Sequence, residues 1–281
     1  MLPIPVPLSA LVGTLSIEAI NRLAQGRRPS TVRCIIVIPS RFASTRLPGK
    51  PLLKETGKYL VQHVYEQALL SKRANHVVVA TDDDRIEAAC ISFGAPVERT
   101  DIGHPSGTDR VAEVAQRTPG DLFLNLQGDE PLINPDSLDM LFDLLIEHPD
   151  APMATLATPL ASLEEYYNPA VVKVVRDQNQ RALYFSRSPI PHVRDGSPDI
   201  IGDKNLFLRH LGLYCYRKVF LLGLAKLPVH PLERVEKLEQ LRVIGMGYPL
   251  LVGLTNEPGV GVDTPADYEA FVARMALKKN S

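Results

Sequence analysis

Residues 34–50 have the sequence CIIVIPSRFASTRLPGK, in which a short apolar run leads into a loop that carries three cations. A continuous apolar run of this length is typical of a β-strand that is buried on both faces. Arg41, Arg46 and Lys50 follow the run and can surround a polyanion such as a triphosphate. For three cations taken alone, a solvated basic loop is the alternative interpretation.

The turn residues of this loop favour the anion site. Pro48 is a rigid turn residue beside the permissive Gly49, and together they set the direction in which Lys50 points. Ser44 and Thr45 leave backbone N–H groups free to approach phosphate oxygens. The loop is therefore predicted to hold the phosphates of a nucleotide.

The rest of the chain predicts an α/β fold, a Rossmann-like, mostly parallel sheet with flanking helices. Short β-branched runs alternate with helical segments from Val32 onward, and such alternation is typical of a parallel sheet covered by helices. Strands are predicted at 34–38, 77–80, 122–126, 153–158, 171–175, 183–185, 208–216 and 250–254. Helices are predicted at about 59–70, 84–93, 108–117, 135–147, 232–243 and 265–275. Ligands of open sheets bind beyond the carboxyl ends of the strands, where the basic loop falls.

The length of 281 residues, 45% of them hydrophobic, suits one large domain. We predict a single domain over 32–276, with a smaller dimerisation or lid subdomain at about 159–230. Residues 1–31 are predicted to form an N-terminal extension. They lack a basic start and a continuous apolar span, so a cleaved secretory signal or membrane anchor is not expected. A transit peptide and an additional amphipathic helix both remain open.

Charge and cysteine content exclude several classes of function. The 31 Lys and Arg residues balance 32 Asp and Glu residues, so no global basic field indicates nucleic acid as a partner. No apolar run is long enough to span a bilayer, so no membrane partner is expected. The three cysteines are far apart, which indicates neither a disulfide framework nor a zinc site. Reduced cysteines fit a cytoplasmic protein.

A candidate metal ligand follows the predicted strand 122–126, in the sequence NLQGDEP at 125–131. Asp129 would project beyond the end of that strand. Mg²⁺ is usually bound by one or two carboxylates together with phosphates and water, so a carboxylate in this place could hold it. Gly128 and Pro131 are also ordinary turn residues, and a plain loop is the alternative.

A second acid stands in the sequence GVGVDTPAD at 259–267. Thr264, Pro265 and Asp267 have the pattern of a helix start, with an N-cap, a proline at the first helical position and a capping-box acid. Asp263 precedes that pattern. It could simply favour the helix dipole, but with Asp129 it supplies the two carboxylates that a nucleotide-bound Mg²⁺ would use.

Several blocks of sequence, in the same order, resemble the 3-deoxy-manno-octulosonate (Kdo) cytidylyltransferase family. They are RFASTRLPGKPL (41–52), ATD (80–82), HPSGTDR (104–110), QGDEP (127–131), YFSR (184–187), RHLG (209–212), LEQLR (238–242) and GVDTP (261–265). The resemblance covers about 32–275. The first thirty residues fall outside it.

The resemblance implies transfer of CMP from CTP to the anomeric hydroxyl of Kdo, with release of pyrophosphate. In this reaction type, catalysis depends on positioning and on balancing the phosphate charge. Arg41, Arg46 and Lys50 match the cations of the family, and Ser106 is a candidate contact to cytosine. The resemblance further implies that Mg²⁺ is held by Asp129 and Asp263 and that the protein is a homodimer.

The sugar carries a carboxylate and several hydroxyls, so its pocket should offer arginines and neutral hydrogen-bonding groups. The positions that match the family's sugar contacts are Arg110, Gln127, Arg187, His210, Tyr214, Glu236 and Gln240. Simpler interpretations remain open: a surface ion pair for Arg110, a structural histidine for His210 and a core tyrosine for Tyr214. Glu236 and Gln240 are spaced to share one face of the predicted helix 232–243.

Two other functions are considered. One is transfer of a nucleotide to another acid sugar, such as an amino variant of Kdo or sialic acid. The first loop, STRLPGK, and the block RHLG favour Kdo over sialic acid, whereas the amino variant would alter only one or two contacts. The other is a catalytically silent nucleotide-binding module. The presence of Asp129, Asp263 and all three loop cations counts against it.

Overall fold

The computed structural model describes residues 32–43, 46–259 and 261–279. The predicted N-terminal extension and the predicted contact at Ser44 lie outside the described residues. None of the helices in the described part of the chain has the length and the apolar character needed to cross a membrane.

The described elements alternate along the chain as strands and helices. The strands are β1 Cys34–Pro39, β2 His76–Thr81, β3 Val97–Arg99, β4 Leu122–Asn125, β5 Met153–Pro159, β6 Lys173–Arg176, β7 Ala182–Ser186, β8 Leu208–Arg217 and β9 Leu250–Leu254. The α-helices are α1 Leu60–Ala68, α2 Asp84–Ser92, α3 Gly107–Arg117, α4 Pro135–Glu147, α5 Leu163–Tyr167, α6 Lys218–Leu224, α7 Pro231–Glu236, α8 Gln240–Gly245 and α9 Pro265–Lys279. A 3₁₀ turn occupies Lys50–Leu52.

The strands form one mixed sheet in the order β3-β2-β1-β4-β8-β5-β9. Strands β1 to β4 are parallel where they pair, and β5 is parallel to β9. Strand β8 runs antiparallel to β4 and β5, and the β6–β7 hairpin joins the sheet through β8. The predicted α/β class and mostly parallel sheet are confirmed.

The reversed direction of β8 determines what meets at the edge of the sheet. The ends of β1, β4, β5 and β9 and the beginning of β8 all lie on the same side, as Pro159 opposite Leu208 shows. Residues that follow β1, β4 and β9 are therefore brought close to residues at the start of β8.

The apolar run of β1 divides between two hydrophobic cores. Ile36 and Ile38 pack on the face covered by α1, α2 and α4, and Ile35 and Val37 pack on the face covered by α3 and α6. All four side chains are fully buried. Burial on both faces explains why β1 is continuously apolar rather than alternating.

The prediction of one helix over 232–243 is wrong. Helix α7 ends at Glu236 because Lys237 adopts a left-handed conformation with φ 56°, and a separate helix α8 begins at Gln240. Residues other than glycine rarely adopt this conformation, and a glycine usually marks such a helix end. Because Lys237 stands here instead, the sequence does not indicate the break. The short elements β3, α5 and α6 were also not predicted, because they are too short to show a clear periodicity.

Candidate active site

The loops after β1 and β4 touch at the carboxyl edge of the sheet. The Ser40 backbone N–H donates to the Ala80 carbonyl at 2.9 Å, which holds the first loop against the end of β2. A Cβ atom at Gly128 would lie 2.8 Å from Ser40 Oγ and 3.1 Å from the Pro39 carbonyl oxygen. Only glycine permits this close approach, so Gly128 brings the acidic turn against the basic loop.

The centre of this edge is an ion-pair cluster built from residues far apart in sequence. Lys50 Nζ lies 2.6 Å from Asp129 Oδ2 and 3.2 Å from Asp263 Oδ1. Arg46 Nη2 lies 3.1 Å from the same Asp263 oxygen. The structure thus brings together four of the predicted site residues, although their binding roles remain predictions.

The first loop is shaped by Gly49 and Phe42. Gly49 has φ 65°, its N–H donates to the Phe42 carbonyl at 3.3 Å, and a Cβ atom there would lie 3.2 Å from the Phe42 ring. The Arg85 guanidinium lies 3.2 Å from the centre of that ring and is paired with Asp83. These contacts direct Lys50, at the start of the 3₁₀ turn, toward the acids.

Asp263 is positioned by the backbone on either side of it. The Val262 N–H donates to the Asp129 carbonyl at 2.8 Å, and the Asp263 N–H donates to Asp267 Oδ2 at 3.1 Å. The predicted cap is confirmed, since Thr264 and Asp267 exchange hydrogen bonds at the start of α9. Because the Val262 N–H is bonded to the Asp129 carbonyl, the side chains of Asp129 and Asp263 can both contact the Lys50 ammonium.

Glu130 is a further acid that the sequence analysis did not single out. Its Oε2 atom is buried and has no hydrogen-bond partner among the described residues. Burial, together with the neighbouring charges of Asp129 and Asp263, raises the pKa of Glu130 to about 7. The only signal in the sequence is its place in the QGDEP block.

The donor set of this cluster fits Mg²⁺. Asp129 Oδ2 and Asp263 Oδ1 both accept from the Lys50 ammonium, so the two carboxylates lie close together, and each has a second oxygen that does not bind the ammonium. Among the residues that the structure describes, no group of three or more Asp, Glu, His or Cys side chains forms a complete metal site. A metal held by these two carboxylates would therefore complete its shell with phosphate oxygens and water, which is the usual arrangement for Mg²⁺.

A cavity of about 470 Å³ opens beside this cluster at the start of β8. Its lining residues are Ala170, Val171, Val172, Arg209, His210, Gly212, Tyr214, Leu238 and Gln240. Three of the predicted sugar contacts, His210, Tyr214 and Gln240, share this cavity. Their roles toward a ligand remain predictions.

His210 is held as a neutral ring. Its Nε2 atom lies 2.9 Å from Thr155 Oγ1, and that hydroxyl donates its own proton to the carbonyl of Leu213 at 2.7 Å or of Leu211 at 3.1 Å. The ring must then donate from Nε2 and leave Nδ1 as an acceptor. Burial lowers the pKa of His210 to about 3.

We expect this burial to make the stability of the protein depend on pH. The unfolded histidine titrates near 6.5 and the folded one near 3, so between these values the unfolded chain binds more protons. The free energy of unfolding should therefore rise with pH across this window, by up to about 1.4 kcal/mol per pH unit from this group. Urea unfolding at several pH values should show a shallower rise for His210→Asn than for the wild type. The exposed histidine variant His76→Asn should retain the wild-type slope; equal slopes for all three proteins would contradict the expectation.

Tyr214 and Gln240 form a polar pair in the cavity wall. The Tyr214 hydroxyl donates to Gln240 Oε1 at 3.0 Å, and burial, with the nearby Glu239 charge, raises the pKa of Tyr214. Gln240 Nε2 is buried and has no partner among the described residues. An unpaired buried donor is costly, so a hydrogen bond from this amide to an acceptor would be stabilising.

Arg187 and Glu236 flank the cavity but bind each other. Glu236 accepts from Ser186 Oγ at 2.6 Å and from the Arg187 N–H at 3.0 Å. The Arg187 side chain donates to the carbonyls of Glu236 and Pro169. The predicted shared helix face of Glu236 and Gln240 is wrong, because the chain turns at Lys237 between them.

The structure places the other predicted contacts outside this cavity wall. Arg110 is 1% exposed and binds Asp82 at 2.9 Å and Thr100 at 2.6 Å, so a surface ion pair is the wrong interpretation. It lies near Arg41, whose charge contributes to lowering the pKa of Arg110, after burial as the main cause. Arg110 therefore lies on the side of the basic loop.

Gln127 and Ser106 are both engaged locally. Gln127 Nε2 donates to Asn125 Oδ1 at 3.4 Å, and Asn125 lies opposite Tyr214 in the sheet. Ser106 is the N-cap of α3 and forms a reciprocal capping box with Asp109. The neighbouring Gly107 packs against Pro39, because a Cβ atom at Gly107 would lie 3.3 Å from the Pro39 ring. Ser106 therefore lies close to the first loop.

Two further cations near the cavity were missed by the sequence analysis. Lys173 is fully buried, and its ammonium donates to the carbonyls of Asn168, Val171 and Arg187. Arg209 lines the cavity and lies next to His210. Arg209 stands in the RHLG block, whereas Lys173 has no motif around it that could have indicated its role.

Comparison with known proteins gives consistent results. A family model for cytidylyltransferases matches residues 35–248. A 3-deoxy-manno-octulosonate cytidylyltransferase from Halorhodospira halophila is 49% identical over 253 residues, covering 88% of this chain and 98% of that protein. One from Syntrophotalea carbinolica is 51% identical over 243 residues, covering 85% of this chain and 97% of that protein.

Solved structures are similar over the same part of the chain. A CMP:2-keto-3-deoxy-manno-octonic acid synthetase, solved in complex with CTP, has a TM-score of 0.81 and 43% identity and covers 88% of this chain and 99% of that one. A 4-diphosphocytidyl-2C-methyl-D-erythritol synthase from Anaerococcus prevotii has a TM-score of 0.58 at 11% identity. That second similarity shows a shared fold alone.

Proposed function

This chain belongs to the cytidylyltransferase family, among the 3-deoxy-manno-octulosonate cytidylyltransferases, and from this we propose how its site performs CMP transfer from CTP to Kdo. The products are CMP-Kdo, for lipopolysaccharide or a related Kdo polymer, and pyrophosphate. The observation that carries the proposal is the meeting of Lys50 with Asp129 and Asp263 beside the cavity at the start of β8.

The basic loop and the acid pair form the nucleotide half of the site. Arg41, Arg46 and Lys50 balance the triphosphate charge and orient the α-phosphorus toward the cavity. Asp129 and Asp263 would hold Mg²⁺ together with the phosphates. When bound there, the metal supplies charge neutralisation and lowers the pKa of an attacking hydroxyl.

The cavity at the start of β8 forms the sugar half of the site. Neutral His210 offers an acceptor at Nδ1 and Gln240 offers a donor at Nε2, which suits the hydroxyls of an acid sugar. Arg187 supplies positive charge for its carboxylate. The volume of about 470 Å³ is within the usual range for a small-molecule pocket.

The proposed reaction is tested by a panel of pyrophosphate-release assays. CTP and UTP are each combined with Kdo, its amino analogue, sialic acid or no sugar, with and without Mg²⁺. We expect release with CTP, Kdo and Mg²⁺ together, and only background release when sugar or metal is omitted. Equal release without sugar, or faster release with sialic acid than with Kdo, would overturn the proposal. The amino-analogue arm decides which form of Kdo is preferred.

We expect Arg187 to act on sugar binding rather than on nucleotide binding. Replacing it with alanine removes a charged donor worth about 1.5–3 kcal/mol, so the KM for Kdo should rise by roughly 10–100-fold while the KM for CTP stays within about threefold. Arg181→Ala is the matched control, because Arg181 lies near the other end of β7 and pairs with exposed Asp150. Equal rises in both KM values would contradict the assignment.

A homodimer in the cytoplasm is the expected working form. The homodimer is proposed from the resemblance to the family. The buried, unpaired thiols of Cys34, Cys90 and Cys215 agree with a reducing compartment.

A further inference from the structure

The segment between β9 and α9 carries Asp263 and is tied down at separate points. The Thr255 N–H donates to the Ala157 carbonyl at 3.0 Å, near the end of β9. The Val262 N–H donates to the Asp129 carbonyl at 2.8 Å, next to the acid pair. The stretch between these anchors contains Pro258 and Gly259, whose carbonyls need partners of their own.

The partner of both carbonyls is a single arginine on another strand. Arg209 Nη2 donates to the Pro258 carbonyl at 2.8 Å and to the Gly259 carbonyl at 3.1 Å. Arg209 Nη1 lies 3.2 Å from Glu165 Oε1, which orients the guanidinium from the other side. The planar guanidinium holds several N–H donors in a fixed arrangement and can make these bonds at the same time. A lysine ammonium has no such fixed arrangement of donors.

Arg209 also lies where the two halves of the site meet. Its side chain lines the cavity, and the next residue along β8 is His210. Its side chain is 28% exposed, so its hydrogen bonds are only partly open to competition from water. Its Nη2 atom binds only backbone carbonyls, so on that side the guanidinium orders the segment, while Nη1 pairs with Glu165.

We propose that Arg209 is a positioning residue that holds residues 258–259 so that Asp263 stays against Asp129. This inference rests on the proposed function and adds a residue to it. The bonds of the Val262 and Asp263 N–H groups fix Asp263 itself, and the Arg209 contacts at Pro258 and Gly259 fix the backbone that leads into them. Loss of the guanidinium frees residues 258–259. The Asp263 carboxylate would then be held less firmly and would bind a metal and its nucleotide less well.

The test compares Arg209→Lys and Arg209→Gln with Arg217→Lys. Arg217 lies at the opposite end of β8 and also donates its guanidinium to backbone carbonyls, those of Leu145, His148 and Ala151. Arg217→Lys therefore controls for the general cost of losing guanidinium hydrogen bonds to backbone carbonyls. Glu165→Gln provides a milder perturbation of the same contact and keeps the test available if an Arg209 variant fails to fold.

Two measurements report on the segment without turnover. The first is hydrogen exchange of the Val262 amide, which reads the contact between the Asp263 segment and Asp129. We expect exchange to accelerate about tenfold or more in both Arg209 variants and less in Glu165→Gln. The second is the affinity for Mn²⁺, used as the probe ion, in the presence of CTP and without sugar. It should fall roughly 10–100-fold in the Arg209 variants.

The Arg217→Lys control should lose thermal stability but keep wild-type Val262 exchange and Mn²⁺ affinity. Unchanged exchange in the Arg209 and Glu165 variants, or equal acceleration in Arg217→Lys, would overturn the role proposed for Arg209. Failure of the wild type to release pyrophosphate with CTP and Kdo would instead overturn the proposed function. The exchange measurement separates the two cases because it needs neither substrate.

Discussion

Replacing Asp263 with asparagine is expected to lower kcat/KM for CMP transfer by about a thousandfold, because it removes several kcal/mol of charge stabilisation at the proposed Mg²⁺ site. Asp129→Asn should have a similar effect, because both carboxylates lie on Lys50. The double variant should lose little more than either single variant, since the two acids act as one unit. Steady-state pyrophosphate release across a series of Mg²⁺ concentrations measures this effect.

Asp150→Asn is the matched control for Asp263→Asn. Both aspartate side chains are 46% exposed, and each pairs with an arginine, at 2.9 Å for Asp150 with Arg181 and at 3.1 Å for Asp263 with Arg46. Loss of an exposed ion pair costs about 0–1 kcal/mol of stability, so both variants should fold normally. If Asp263→Asn retained wild-type turnover, or if Asp150→Asn lost as much, the acid pair would have no special role in the reaction.

Replacing Lys50 with methionine is expected to lower kcat/KM by roughly 100–1,000-fold, with a rise in the KM for CTP. The side chain is only 13% exposed and lies on both acids, so its charge is little screened by water. Loss of the ammonium would remove the proposed contact to the phosphates, and it leaves Asp129 and Asp263 without their shared cation. We expect a strong coupling energy between Lys50→Met and Asp263→Asn in a double-mutant cycle.

Lys58→Met provides the comparison for Lys50. Lys58 Nζ lies 2.6 Å from Glu66 Oε2, the same distance as Lys50 to Asp129, but its side chain is 48% exposed. Its replacement should leave kcat/KM within about twofold of the wild type, because an exposed pair contributes little. If Lys50→Met left the KM for CTP unchanged, Lys50 would have no role in nucleotide binding.

Much of the fold could be predicted because its central strands are apolar on both faces. The run at β1 and the segments at β2, β4 and β5 have no competing helical periodicity, and the predicted strands lie within a residue or two of the observed ones. Helix α4 could be placed closely because Asn134 and Pro135 mark its beginning. The break at Lys237 could not be predicted, since a left-handed lysine has no local signal.

The sequence by itself determined the α/β class, the basic loop after β1, the acid Asp129 after a strand and the acid Asp263 before the last helix. These are local properties, set by periodicity, by turn chemistry and by the order of motifs. Only the tertiary structure decided that Lys50 lies on both acids, that Glu130 is buried beside them and that Arg209 binds the segment before Asp263. The physical reason is that β8 runs against its neighbours, which brings its first residues to the edge where β1, β4 and β9 end. Contacts across that edge join residues 79 and 213 positions apart, as Lys50 shows, and no local pattern specifies them.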